Sequence, residues 1–291
     1  MPDLKTFSDI LTPNAPLAPM TGLGVGGSAD WLARPRDPDE LQRLIVHCSD
    51  SQLPWRILGG GANVLAPDEG VRGVVIVLDA PPFKEISVVD QRIRCGAGAL
   101  LADLVAFACS SSMTGMECLA GIPGTVGGAL RGNAGTRAGD IGQLTHAVEV
   151  LEANGKAVRL RNELRFGYRE SNLEDVVILA AVFELASDKT EDVVRRLKKF
   201  WIAKKAQQPF GFQRSGYAFR NPRGLSAAEL IDKVGMRSAK VGGAEICDRD
   251  PCYVIAHEGC TSRDVHRLLE LAIAKVAEKT GVHLDVQLDV W

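Results

Sequence analysis

The sequence reads as a folded chain of mixed strands and helices, compatible with an α+β fold, on three features of its 291 residues. Strand and helix patterns alternate toward both ends, while the middle carries successive strand patterns joined by short turns. The 46% hydrophobic and 24% charged content is that of a folded chain and excludes wholesale disorder. The 30 glycines are about 10% of the chain, against a usual ~7%, and thirteen of them fall in three clusters. The length suits one large or two medium domains with ample core.

The elements follow in order. Residues 1–20 hold four prolines and read as an irregular arm. Residues 29–34 are a short strand. Asp37-Pro38-Asp39-Glu40 opens a helix, with Asp37 as cap and Leu41, Leu44, Ile45 and Cys48 on its apolar face. Strands at 55–58 and 74–78 complete a small α/β unit. Residues 86–96 read as a hairpin turning at Asp90-Gln91, and 100–111 as a helix. Strands recur at 147–152, 158–161 and 176–185, the first two joined at Asn154-Gly155. A basic helix spans 191–205, and 204–211 reads as a linker. A second α/β unit follows: helix 227–234, strands 244–247 and 252–256, helix 262–280 capped at Ser262, and an alternating strand 284–290.

Composition removes several functions. Lys and Arg number 34 against 36 Asp and Glu, so no basic face for a nucleic-acid polymer is signalled. Aromatic residues at 5% are too few for a base-stacking surface. The seven cysteines are odd in number and include no CxxC, which reads as buried thiols in a reducing compartment. The five histidines show no ligand spacing, so no metal is expected. The N-terminus lacks a signal-peptide pattern, and no apolar run reaches ~18 residues. A cytoplasmic protein without a membrane segment is expected.

The glycine clusters carry the chemistry. Gly22, Gly24, Gly26 and Gly27 form one, where the backbone is expected to approach a ligand. Gly59, Gly60 and Gly61 form another, and Gly121, Gly124, Gly127, Gly128, Gly132 and Gly135 the third. Without Cβ atoms, successive N–H groups can converge on an anion. A P-loop is absent, and so is the GxGxxG dinucleotide fingerprint. Two distant loops, 59–63 and 121–128, could hold one extended diphosphate between them; a tight turn explains GGG alone equally well.

Four stretches then carry a family resemblance. They are Gly59-Gly-Gly-Ala-Asn63; Gly121-Ile-Pro-Gly-Thr-Val-Gly-Gly-Ala129 with Asn133-Ala-Gly135; Phe166-Gly-Tyr-Arg-Glu-Ser171; and Gly216-Tyr-Ala-Phe-Arg-Asn-Pro222. In order and spacing the sequence resembles the UDP-N-acetylenolpyruvoylglucosamine reductases, shorter type, over roughly residues 17–291. The resemblance implies an FAD-binding module of the vanillyl-alcohol-oxidase type at 17–190, made of two α/β subdomains meeting near 80–86. A smaller α/β substrate-binding domain is implied at 205–291.

It also implies chemistry. NADPH reduces FAD, and the reduced flavin gives a hydride to the enolpyruvyl double bond of a UDP-sugar, forming UDP-N-acetylmuramate for peptidoglycan. The cofactor residues carried over are Gly59, Gly60, Gly61, Ala62, Asn63, Gly121, Ile122, Pro123, Gly124, Thr125, Val126, Gly127, Gly128, Asn133, Ala134 and Gly135. Tyr168, Arg220 and Asn221 are carried over as substrate-binding, and Arg169 as the group that stabilises the developing carboxylate. The implied partner is the small-molecule UDP-sugar, and the expected state is a monomer.

Departures fall on the substrate side. Tyr217 stands where the family has its proton-donating Ser, and a phenol moves the hydroxyl several ångströms outward. Gln287 stands where the family has Glu; it can hold an enolic oxygen but cannot transfer a proton. Cys247, Asp250 and Cys252 replace a Ser, a His and an Asn, and Arg137 replaces a Tyr. Two functions are therefore weighed: a working reductase using Arg169, Tyr217 and Gln287, and an FAD-binding paralogue that is regulatory or acts on another acceptor.

Overall fold

The computed structural model describes residues 4–211 and 213–291. The described residues divide into two compact units, one of residues 4–12, 31–60 and 73–204, the other of 13–30, 61–72, 205–211 and 213–291.

In the first unit the helix Pro38–Asp50 starts as its sequence dictates. The Asp37 carboxylate accepts from the N–H groups of Asp39 (2.9 Å) and Glu40 (2.8 Å), and Leu41, Leu44 and Cys48 are fully buried. Trp55–Ile57 lies parallel to residues 74–76. Their sheet has the strand order Leu11–Pro16, Ser28–Ala33, Val71–Ile76, Trp55–Ile57. The expected irregular arm is thus wrong in part: Leu11–Pro16 is an edge strand, where the missing N–H of Pro13 and Pro16 need cost no ladder bond.

The same unit holds a five-stranded antiparallel sheet, ordered Gly155–Leu160, Thr145–Glu152, Val177–Phe183, Arg92–Gly96, Ile86–Val89. The hairpin at Asp90-Gln91 forms with both residues at positive φ (49° and 62°), the turn that matches strand twist. The turn expected at Asn154-Gly155 is displaced by one. Glu152 pairs with Gly155, so Ala153 and Asn154 are the loop, and Gly155 takes the positive φ of 113° as it enters the return strand. The helices Leu101–Ser110 and Val126–Arg131 pack on this sheet through Leu101, Leu104, Val126 and Leu130.

The long helix is Thr190–Gln207, so the expected linker at 204 starts too early. Lys204 to Gln207 are good helix formers, and the stop comes from Pro209, which excludes Gln208 from helical geometry.

The second unit is a four-stranded sheet, ordered Arg214–Tyr217, Tyr253–Ala256, Ala244–Ile246, Lys240–Val241, with the helices Ala227–Lys233 and Ser262–Thr280 in one core. The cap of the last helix is Thr261, not Ser262. Thr261 and Asp264 bond reciprocally, while the Ser262 N–H donates to the Asp68 carboxylate (2.8 Å). Residues 284–290 do not form one strand: Val286 makes a single bridge with Phe219, and Asp289–Val290 runs parallel to Val64–Leu65.

Gly22 and Gly27 meet the chain's own backbone, and Gly24 meets the Arg214 side chain. A Cβ on Gly22 would lie 2.9 Å from the Ser215 carbonyl, and one on Gly27 2.4 Å from that of Asp68. Close packing within the protein is thus one reason for these glycines.

Candidate flavin and substrate site

The two glycine loops meet. In the first unit Gly59 and Gly60, just beyond the strand Trp55–Ile57, lie against the second loop. A Cβ on Gly60 would stand 2.7 Å from Gly124 Cα and 3.2 Å from Thr125 N; one on Gly59 would stand 2.6 Å from Thr125 Oγ1. A side chain at Gly60 would meet fixed backbone and one at Gly59 the Thr125 hydroxyl, so both positions suit bare backbone. Gly59, Gly60, Pro123 and Gly128 are exposed. Beneath them the loop is fastened: the N–H groups of Val126 and Gly127 donate to the carbonyls of Ala99 (2.9 Å) and Ala97 (2.8 Å). Ile122 packs into the core beside the buried Val126. A cradle of this shape fits the diphosphate of a dinucleotide such as FAD.

Asn133 is spent inside the protein. It is 5% exposed; its Nδ2 donates to the Gly167 carbonyl (2.7 Å) and its Oδ1 accepts from Gly142 N–H (3.1 Å). Ala134 and Gly135 are likewise engaged, Ala134 N–H with Ala129 O (2.7 Å) and Gly135 in a short pairing with Asp140. Arg137 is exposed at the tip of that hairpin.

The Phe166–Ser171 motif is a tight hairpin, Phe166–Gly167 against Glu170–Ser171, with Tyr168 and Arg169 at its tip. Arg169 holds φ = 61°, a left-handed conformation that costs a non-glycine residue roughly 1–2 kcal/mol. Its guanidinium lies 5.9 Å from the centre of the Tyr168 ring, and Tyr168 is 56% exposed. The conformation is that of a residue in a two-residue hairpin turn, between Gly167 and its partner Glu170.

In the second unit Tyr217 ends the strand Arg214–Tyr217 opposite Tyr253. The two rings meet edge-on, centres 4.9 Å apart at 79°, and the Tyr217 hydroxyl hydrogen-bonds the Cys252 sulfur. Burial pushes the Cys252 thiol up to about 12, and the neighbouring Asp250 carboxylate adds to this, so Cys252 is a neutral prop for the ring rather than a nucleophile. All seven cysteines are free thiols and six are buried.

Gln287 and Arg220 sit on two facing segments. Arg220 N–H donates to the Asp285 carbonyl (3.0 Å), and Gln287 N–H donates to the Ala218 carbonyl (2.7 Å). With Phe219 opposite Val286, strand alternation places Arg220 and Gln287 on one face. Gln287 Oε1 and Arg220 Nε are both buried without a hydrogen-bond partner among the described residues. An unsatisfied buried acceptor and donor each cost about 1–3 kcal/mol, so a ligand that meets them recovers that energy. Asn221 Oδ1 accepts from Ala227 N–H (3.0 Å) at the start of the next helix. Asn63 Nδ2 donates to the Gln287 carbonyl (2.5 Å). Gly61 sits at φ = 63° and its carbonyl accepts from Gly22 N–H (2.9 Å), which leaves Ala62 beside Gly22.

One important group had no sequence argument. Glu117, 4% exposed, accepts from Gly115 N–H, Thr114 Oγ1 (2.8 Å) and Arg196 Nε (3.0 Å), tying the long helix to the turn that leads into Gly121. A lone acid in the apolar run Met116–Ala120 was the available signal. Among the described residues no group of three or more His, Cys, Asp or Glu is placed to hold a metal ion. No helix among them is long and apolar enough to cross a membrane.

Loops and fold together define an FAD-binding protein of the vanillyl-alcohol-oxidase type: residues 29–161 match the FAD binding domain family. Residues 208–291 match the C-terminal domain of UDP-N-acetylenolpyruvoylglucosamine reductase. The chain is 36% identical to that reductase of Geotalea uraniireducens over 278 residues, 95% of this chain and 92% of the relative. It is 33% identical to that of Rhodopirellula baltica over 283 residues, 97% and 93%. The crystal structure of the Thermus caldophilus reductase superposes with a TM-score of 0.82 at 34% identity, covering 95% of this chain and 97% of that one. A solvent-stable cholesterol oxidase, 17% identical with a TM-score of 0.50 over 64% of this chain and 40% of its own, shares the fold alone. The chain belongs to the UDP-N-acetylenolpyruvoylglucosamine reductase family.

Proposed function

We propose that this chain reduces the enolpyruvyl group of UDP-N-acetylglucosamine enolpyruvate to UDP-N-acetylmuramate, with FAD bound at the glycine loops and NADPH as reductant. The observation that carries the substrate half is the buried, unpartnered pair Gln287 Oε1 and Arg220 Nε on one face. Bound FAD supplies hydride transfer from NADPH to the methylene carbon of the enolpyruvyl group. The carbon that bears the ether oxygen must then gain a proton, and the carboxylate must carry charge meanwhile. Arg169 is suited to the carboxylate, being always charged and forked. Gln287 holds an enolic O–H through Oε1, and Arg220 holds an acceptor oxygen through Nε. Tyr217 is the proton donor, its ring steadied by Tyr253 and Cys252. A cytoplasmic monomer serving peptidoglycan synthesis belongs to the same reading.

The test is a two-part assay on FAD-loaded protein. NADPH should bleach the flavin, and the enolpyruvyl UDP-sugar should restore its colour with formation of UDP-N-acetylmuramate by mass. Bleaching without substrate-dependent recovery would establish the alternative, a flavin-binding paralogue.

A further inference from the structure

The backbone of Gln287 is held on both sides of its Cα. Its N–H donates to the Ala218 carbonyl (2.7 Å), and its carbonyl accepts from Asn63 Nδ2 (2.5 Å). Asn63 returns the contact through its own carbonyl, which accepts from Asp289 N–H (2.8 Å). The next residues, Val64 and Leu65, run parallel to Asp289 and Val290. Residue 63 closes the first glycine loop, and residues 287–290 close the chain. The side chain of Asn63 therefore fixes the peptide that follows Gln287 and, with the Ala218 bond on the preceding one, the backbone from which the Gln287 side chain projects.

We propose that Asn63 is a positioning residue for Gln287, coupling occupancy of the first glycine loop to the aim of the Gln287 amide. The role of Gln287 rests on the function proposed above; the coupling itself does not. A neutral donor of this reach is required. An Asp would set an anionic oxygen against the Gln287 carbonyl, and an Ala would leave that carbonyl without its partner. Aim matters because a binding group must be held within about 0.5 Å and 10–20° of its working geometry. The Oε1 of Gln287 makes this sensitivity specific: the atom is buried and no hydrogen bond within the described residues holds it.

Two measurements decide the matter. Hydrogen exchange is followed in the peptide 284–291 of the full-length protein, with and without FAD. FAD should slow exchange there at least fivefold in the unmutated protein and less than twofold in Asn63→Ala, while 244–256 responds alike in both. No FAD effect on 284–291 in the unmutated protein would overturn the coupling, whatever the protein reduces. The second measurement separates the two half-reactions by stopped flow. Asn63→Asp should slow substrate-dependent reoxidation at least ten times more than it slows reduction by NADPH, in kcat rather than KM. On a Gln287→Ala background it should add less than twofold. An equal loss in both half-reactions, or a full further tenfold loss on that background, would place Asn63 with the flavin alone. If the unmutated protein shows no substrate-dependent reoxidation, the function proposed above fails while the exchange result still judges the coupling.

Discussion

Asn133 Nδ2 donates to the Gly167 carbonyl at 2.7 Å, so a residue of the second glycine-rich stretch holds the hairpin presenting Arg169. The bond is buried and the Asn133 oxygen is also used, on Gly142 N–H. Asn133→Asp should therefore cost about 1–3 kcal/mol in chemical denaturation, because one buried group loses its partner. Substrate-dependent flavin reoxidation should fall with it, as the hairpin loosens. A neutral effect on both would show that the hairpin is held elsewhere.

Arg169 should trade stability against activity. Its φ of 61° suits glycine, so Arg169→Gly should leave stability unchanged or raise it by up to about 1 kcal/mol. Loss of a preorganised charge at the carboxylate should lower reoxidation by about 10²–10³-fold. Thermal denaturation and single-turnover kinetics on one preparation test both halves.

Gly60→Ala tests the cradle. The backbone of Gly60 is outside the left-handed region, so the strain is purely steric: the new Cβ meets Gly124 Cα at 2.7 Å. The loops must part, and FAD affinity should fall at least tenfold by flavin fluorescence titration, with circular dichroism unchanged.

The substituted donors can be exchanged. Gln287→Glu restores a group able to move a proton, and Tyr217→Ser opens space beside Tyr253. In a working reductase Tyr217→Ser should leave reoxidation similar or faster, since the Tyr is at best an equal donor. In a paralogue only the double variant should show turnover. A proton donor is worth about 10²–10⁴ in rate, well within the range of the assay.

Glu117 gives a pH signature. Burial would raise its carboxyl, but the N–H groups of Glu117 and Gly115, with Thr114 and Arg196, outweigh burial and hold it below its ordinary 4.5. A depressed carboxyl stabilises the folded state above 4.5 and loses that contribution as pH falls through its lower folded value. Melting temperature should drop on acidification below about pH 4.5, and Glu117→Gln should flatten that limb. An unchanged limb would assign acid sensitivity to other carboxylates.

Much of this was legible in the residues. Asp37-Pro38 announced a helix, Asp90-Gln91 a hairpin, and the order of four motifs the family. Local chemistry suffices there, because a cap or a turn is settled within four or five residues. Sequence pattern and structure part where a neighbour distant in sequence decides the outcome. Pro13 and Pro16 suggested an arm, but an edge position admits them to a sheet. The alternating run 284–290 suggested one strand, but Phe219 and Val64 claim different parts of it.

The sequence by itself determined the two glycine loops, their order, and the replacement of the family Ser and Glu by Tyr217 and Gln287. Only the tertiary structure decided what the two asparagines of those loops do. Asn133 grips Gly167, and Asn63 grips Gln287 across 224 positions of sequence. A side-chain amide bonds whichever carbonyl folding brings within about 3 Å, and no local pattern records which one that is.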